Sequence, residues 1–214
     1  MSQYLFSPHS PRVTEAKLAH ILSPAVTRGL QVISALVLLG SALLLVTGHH
    51  EGLSLTGVFC ILAVIIVWIR RELEDLPGAT VGATHDLSIL LPKRLLAVYS
   101  PSMTTGEFWS ALSTLPNANF LMVRFGLHPD DVSQSLEGWS IDHDKLFDET
   151  TALCQKLGIP AMTEAAIMGA LFHLCPGLQK MLAERRLSQE DLDEGVHWVA
   201  RIALYDAAGR PVYG

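Results

Sequence analysis

No glycine in the chain is followed by lysine, so none of the 214 residues form a G-x-x-x-x-G-K-[ST] string. Phosphate binding by a P-loop needs that backbone cradle and that lysine. These residues therefore hold no P-loop ATPase engine. Cysteine is scarce, with only Cys60, Cys154 and Cys175. Cys60 falls inside an apolar run and the other two have no metal or redox spacing, which suits a reducing cytoplasm without a disulfide framework. A basic excess is also missing. Residues 72–214 carry ten Lys plus Arg against nineteen Asp plus Glu, a net of −9. A duplex nucleic-acid binder needs a basic face to neutralise phosphates, so nucleic acid is set aside as a partner.

Two long apolar runs are present. GLQVISALVLLGSALLLVTG (Gly29 to Gly48) contains one strongly polar side chain, Gln31, and GLSLTGVFCILAVIIVWI (Gly52 to Ile69) contains no charge. About 20 helical residues rise roughly 30 Å, one hydrocarbon thickness. A soluble core helix would show a polar stripe at the helical period, and neither run has one. Both read as transmembrane helices joined by a tight hairpin. A signal peptide is excluded, because the first run starts near residue 29, is too long for an h-region and is followed by no small-residue cleavage site.

The hairpin tip, GHHEG, holds His49, His50 and Glu51. These are metal-ligand types, but a zinc site needs three or four convergent ligands and consecutive residues point apart. They stand at the tip because polar groups are tolerated there and costly a few residues away. The basic residues of 1–71 are Arg12, Lys17, Arg28, Arg70 and Arg71, all on the side of the membrane opposite the tip. The positive-inside bias makes both termini cytoplasmic and turns GHHEG outward, in a multi-pass inner-membrane protein. Trp68 sits near the end of the second run as an interfacial aromatic.

The chain divides into a cytoplasmic arm (1–27), the hairpin (28–71), a linker (72–85) rich in Gly, Thr and acid, an all-α body (86–204) and a tail (205–214). In the arm, Pro8 and Pro11 keep the start irregular and Thr14 to Leu22 reads as a brief helix. The body contains an internal repeat. At a shift of 59, Phe108, Ala111, Leu112 and Leu115 fall on Ile167, Ala170, Leu171 and Leu174. At a shift of 60, Ala118, Leu121 and Met122 fall on Leu178, Met181 and Leu182, and FGLHPDDV (Phe125 to Val132) falls on RRLSQEDL (Arg185 to Leu192). The spacing i, i+3, i+4, i+7 marks one buried helix face in each copy. Thr104 and Glu107 are placed to form a capping box, Ser188 to cap the last helix, and Ser140 to cap a helix over about 141–157 that ends at Gly158 and Pro160. Residues 87–99 are the counterpart of that helix, interrupted by Pro92.

With TEAAIMGALFHL (Thr163 to Leu174) and LAERRLSQEDL (Leu182 to Leu192) in these positions, the body resembles the Clp N-terminal domain, a twofold repeat of short helices, over roughly 87–200. The family histidine after T-E is replaced by Ala165, the match needs a one-residue insertion, and the first copy carries Trp109 and Pro116 in its first helix region. The hairpin ahead of it resembles membrane-anchored Clp-like ATPases of some bacteria. The resemblance implies a substrate- or adaptor-binding region of an ATP-dependent unfoldase, itself non-catalytic, with no cofactor or metal. It further implies an AAA+ module in cis beyond residue 214, with 205–214 the start of a linker to it, an associated peptidase and a homo-oligomeric whole. The alternative reading is a two-span scaffold or sensor whose helical body serves only for oligomerisation.

Candidate chemistry is thin. Asp142, His143 and Asp144 in WSIDHDKLFDE lie in a first helical turn, where acids offset the helix dipole. GWSID misses the nucleophile-elbow pattern at its last position and follows no strand. His173 and His197 sit among apolar neighbours, as core or edge histidines do. Arg185 and Arg186 form a basic pair in an acidic body and are the candidate substrate- or adaptor-binding residues, able to hold an anionic group bidentately.

Overall fold

A computed structural model describes residues 4–21, 24–73 and 78–207. They form helices joined by short turns, with no strand among the described residues. In chain order these are α1 (Pro11–Ile21), α2 (Pro24–Val46), α3 (Glu51–Leu73), α4 (Leu87–Leu90), α5 (Lys93–Val98), α6 (Thr105–Ser113), α7 (Pro116–Arg124), α8 (Pro129–Ser135), α9 (His143–Leu157), α10 (Glu164–Leu174), α11 (Pro176–Glu184) and α12 (Gln189–Ala207).

Within α2 and α3, Arg28–Val46 and Glu51–Trp68 are long and apolar enough to cross a membrane. Only 11% of each window is buried, so their apolar surface is not absorbed by a protein core. They pack on each other through small residues. Ser34 and Ser41 are buried, and the Ser41 hydroxyl donates to the Gly52 carbonyl at 2.8 Å. A Cβ at Gly52 would lie 2.8 Å from the Leu45 side chain and 2.9 Å from the Ser41 carbonyl oxygen. Gly52 is therefore a helix-contact residue and not part of the turn, which is shorter than the expected GHHEG. Gly48, at φ 79°, ends α2 in the left-handed region, His49 N–H returns to Leu44 C=O at 2.8 Å, and Glu51 already occupies the first turn of α3.

The N-terminal arm is not a separate piece. Pro11 is the first residue of α1, where its missing N–H costs nothing. Val13, Ala16 and Ala19 are buried, and α1 packs on α5 and also touches α3 and α4. Leu5 forms an isolated parallel bridge with Asp86, donating to His85 C=O at 3.0 Å and accepting from Leu87 N–H at 2.8 Å. Lys93, nearly buried, pairs with Glu15 at 3.4 Å, and the Arg12 guanidinium donates to Ile89 C=O. The described part of the expected linker is likewise laid down on the body: Gly78 N–H bonds Ile89 C=O and Val81 N–H bonds Pro160 C=O, each at 2.8 Å.

One apolar core runs from Tyr4 to Ala200. The caps expected at two helices are present. Thr104 and Glu107 form a reciprocal capping box, and Ser188 and Asp191 form another at the start of α12, with bonds of 2.8 and 3.1 Å between each side chain and the other's N–H. Ser140 caps nothing. Asp142 caps α9 by accepting from Lys145 N–H, because 139–141 is held extended by Thr105, whose hydroxyl donates to Trp139 C=O at 3.0 Å and accepts from Ile141 N–H at 2.9 Å. Pro92 separates α4 from α5 as expected. Residue 22 of the expected arm helix and residues 208–214 of the expected tail lie outside the described residues.

Candidate functional site

Three short helices, α6–α8, meet a second set of three, α10–α12, along a seam. Local chemistry shapes both sets alike. Thr104 and Thr163 each accept from the N–H three residues on, Glu107 at 3.3 Å and Ala166 at 3.2 Å. Pro116 and Pro176 begin the second helix of each set. Gly126 (φ 62°) and Arg186 (φ 59°) end it in the left-handed region. In each, the following leucine N–H reaches back five residues, Leu127 to Met122 at 2.9 Å and Leu187 to Leu182 at 3.0 Å, a Schellman motif.

Across the seam α7 packs on α12, and α8 packs on α11. At the first contact, a Cβ on Gly195 would lie 2.6 Å from the Phe125 ring. At the second, a Cβ on Gly177 would run into the carbonyl oxygen of Ser135, and the Ser135 hydroxyl points at Met181 sulfur at 3.7 Å. Glu164, 3% exposed, accepts from Asn117 N–H at 3.1 Å and so ties the start of α10 to the start of α7. Burial raises its pKa above the usual carboxylate range, while the Asn117 N–H and the charge of Arg94 act in the opposite sense.

Arg185 lies in this seam, and its neighbour Arg186 differs in fate. The Arg185 guanidinium donates to Gly126 C=O and pairs with Asp131, joining the two sets. Arg186 is exposed and stands where the first set has Gly126. Sequence reasoning missed what lies on the outer side of the α7–α12 contact. Phe120 (47% exposed), Val123 (71%) and Trp198 (44%) form an apolar patch. The Phe120 and Trp198 rings lie 5.6 Å apart, and the Arg124 guanidinium sits 4.8 Å over the indole. The i, i+3 spacing of Phe120 and Val123 was visible, but only the fold sets Trp198 beside them.

The other sequence-stretch candidates are structural. His49 Nδ1 is 3.1 Å from Thr47 Oγ1 in the hairpin turn, where His50 is exposed. Asp142 is held below the usual carboxylate range chiefly by Lys145 N–H. His143 Nε2 donates to Met103 C=O at 3.2 Å, and its ring joins Tyr99, Phe108 and Phe147. With Tyr4, Phe6 and Asp144, the rings of His143, Tyr99 and Phe147 border a 390 Å³ cavity beneath the arm. Burial, then the nearby Asp144, pushes the Tyr99 phenol up. Cys154 is wholly buried and its thiol is pushed up to about 12, which leaves it inert as a nucleophile. His197 is half-buried on α12.

His173 does more than fill an edge. Its Nδ1 is 2.8 Å from Glu149 and its Nε2 2.8 Å from Asp193, whose other oxygen takes Lys156 at 2.7 Å. The two carboxylates lie on opposite sides of the ring, so they share no point at which a metal would be ligated. Among the described residues no group of three His, Cys, Asp or Glu side chains suits a metal ion.

No family model, no curated protein and no solved structure matches this chain.

Proposed function

We propose that this chain is a membrane-anchored, non-catalytic binding module whose helical body is a twofold repeat of the Clp N-terminal kind. It receives protein substrates or adaptors for an ATP-driven unfoldase at the cytoplasmic face of the membrane. The observation that carries the reading is the reciprocity of the seam. Under the shift of 60, Leu121 becomes Met181, Phe125 becomes Arg185 and Ser135 becomes Gly195. Phe125 and Leu121 crowd Gly195, while Met181 meets Ser135. Each contact is the counterpart of the other with its partners exchanged, as two copies related by a twofold axis require. The shared Thr caps, Pro starts and Schellman ends support the same reading.

The patch of Phe120, Val123 and Trp198 supports a binding role, because exposed aromatics beside a cation suit apolar segments of an unfolded protein. Anchoring by α2 and α3 would concentrate the module near membrane-associated clients. The test uses the full chain in lipid nanodiscs and a fluorescent, permanently unfolded polypeptide. Binding above that of empty nanodiscs, lost in the Phe120→Ser, Trp198→Ser double variant, is expected. Binding equal to empty nanodiscs would sink the reading. A stable assembly by light scattering with no polypeptide bound would favour the two-span scaffold instead.

A further inference from the structure

Among the described residues, none covers the outward face of α1. Val13, Ala16 and Ala19 point to the core, while Leu18 is 53% and Ile21 74% exposed. At 100° per residue these two fall on the side opposite the buried alanines, in line with Thr14 and flanked by Lys17. Two constraints hold this face near the membrane-length helices. The chain passes from Ile21 to the first residue of α2 in three peptide steps, at most about 11 Å. And α1 packs on α3 itself, besides α5. Exposed apolar side chains thus occur on both sides of this short connection, Leu18 and Ile21 on α1 and Val32, Ile33 and Leu36 on α2.

We infer that α1 is an interfacial helix: Leu18 and Ile21 dip into the headgroup layer of the bilayer, Lys17 reaches lipid phosphates, and the opposite face clamps the body. The inference rests on the membrane reading of α2 and α3. Its consequence is mechanical. The body is docked on the lipid surface in a fixed orientation, through an arm braced by the Glu15–Lys93 pair and the Arg12–Ile89 bond, and does not swing on a tether.

The experiment uses the full chain in vesicles of phosphatidylcholine and phosphatidylglycerol. Cys154 and Cys175 are buried and Cys60 is exposed, so a Cys60→Ser background directs an environment-sensitive fluorophore to one introduced cysteine. Leu18→Cys and Ile21→Cys test α1, Ile61→Cys reports the span, and Lys180→Cys on the exposed side of α11 reports water. Expected is blue-shifted emission at 18 and 21, with quenching by shallow nitroxide lipids about threefold above that at 180. Quenching by deep nitroxide lipids is expected at 61. Labels at 18 and 21 that match 180 while 61 is quenched would overturn the inference and leave the hairpin standing. Blue-shifted labels at 18 and 21 that no lipid quenches would also overturn it, since a protein then covers the face. An unquenched 61 would remove the hairpin reading and this inference with it.

Discussion

The two helical sets share a Thr cap, a Pro start and a Schellman end but have unequal places in the molecule. In α10 every residue from Glu164 to Phe172 is buried, whereas α6 buries only Phe108, Trp109 and Leu112. The reason is neighbourhood. α9, α11, α12 and α7 all lie against α10, while α6 has α5, α7 and α8. Similar local signals thus mark where helices begin and end, and say nothing about which set becomes the centre. The central set also buries two carboxylates, Glu164 and Asp193, the latter held by His173 and by Lys156.

Substitutions at matched positions test this inequality. The largest effect is expected at Gly177→Ala, since a Cβ meets backbone and not a flexible side chain; unfolding in detergent should lose about 3 kcal/mol. Its counterpart Asn117→Ala should cost well under half of that, and equal costs would break the comparison. Next comes His173→Leu, which removes the ring held between two carboxylates and should cost about 2 kcal/mol. The matched Thr114→Leu, on an exposed helix end, should be nearly neutral.

Glu164→Gln should instead stabilise. The raised pKa means that this group's favourable contribution is complete below the unfolded value and is lost as pH rises through the folded one. At pH 7 the variant should be the more stable of the two, and the gain should fade as pH falls into the carboxylate range. The capping carboxylates Glu107 and Asp191 act in the opposite sense. Bonds from Thr104 and from Ser188 hold both pKa values down, so their contribution is present above the unfolded pKa and fades as pH falls. A Glu164→Gln melt with unchanged pH dependence would show that the carboxyl is not the buried group described here. The smallest effect is at the helix ends. Arg186→Gly should gain somewhat under about 1 kcal/mol by removing a side chain from the left-handed region, and Gly126→Ala should lose a similar amount.

Legibility followed the range of the interactions. Thr104 with Glu107, and Ser188 before an acidic turn, were readable because each cap closes within four residues. The membrane-length helices were readable because composition over twenty residues suffices. Ser140 misled because Thr105, 35 residues away, holds the segment around it extended and hands the cap to Asp142. The arm misled because the small residues Val13, Ala16 and Ala19 give a weak apolar pattern, which only close packing on α5 makes into a core face. Arg185 was singled out as charge in an acidic body, and the partner that neutralises it, Asp131, is 54 residues distant.

By itself, then, the order of residues determined the helical class, the ends that carry local caps at α6 and α12, and two apolar segments of membrane length. Each follows from hydrogen bonds and hydrophobic periodicity within a few turns of chain. Tertiary structure alone decided that the arm belongs to the body, that α10 lies at its centre, that His173 is bracketed by Glu149 and Asp193, and that Trp198 stands beside Phe120. These depend on which surfaces meet, and contacts between surfaces far apart along the chain are set by the free energy of the whole packing and not by any local signal.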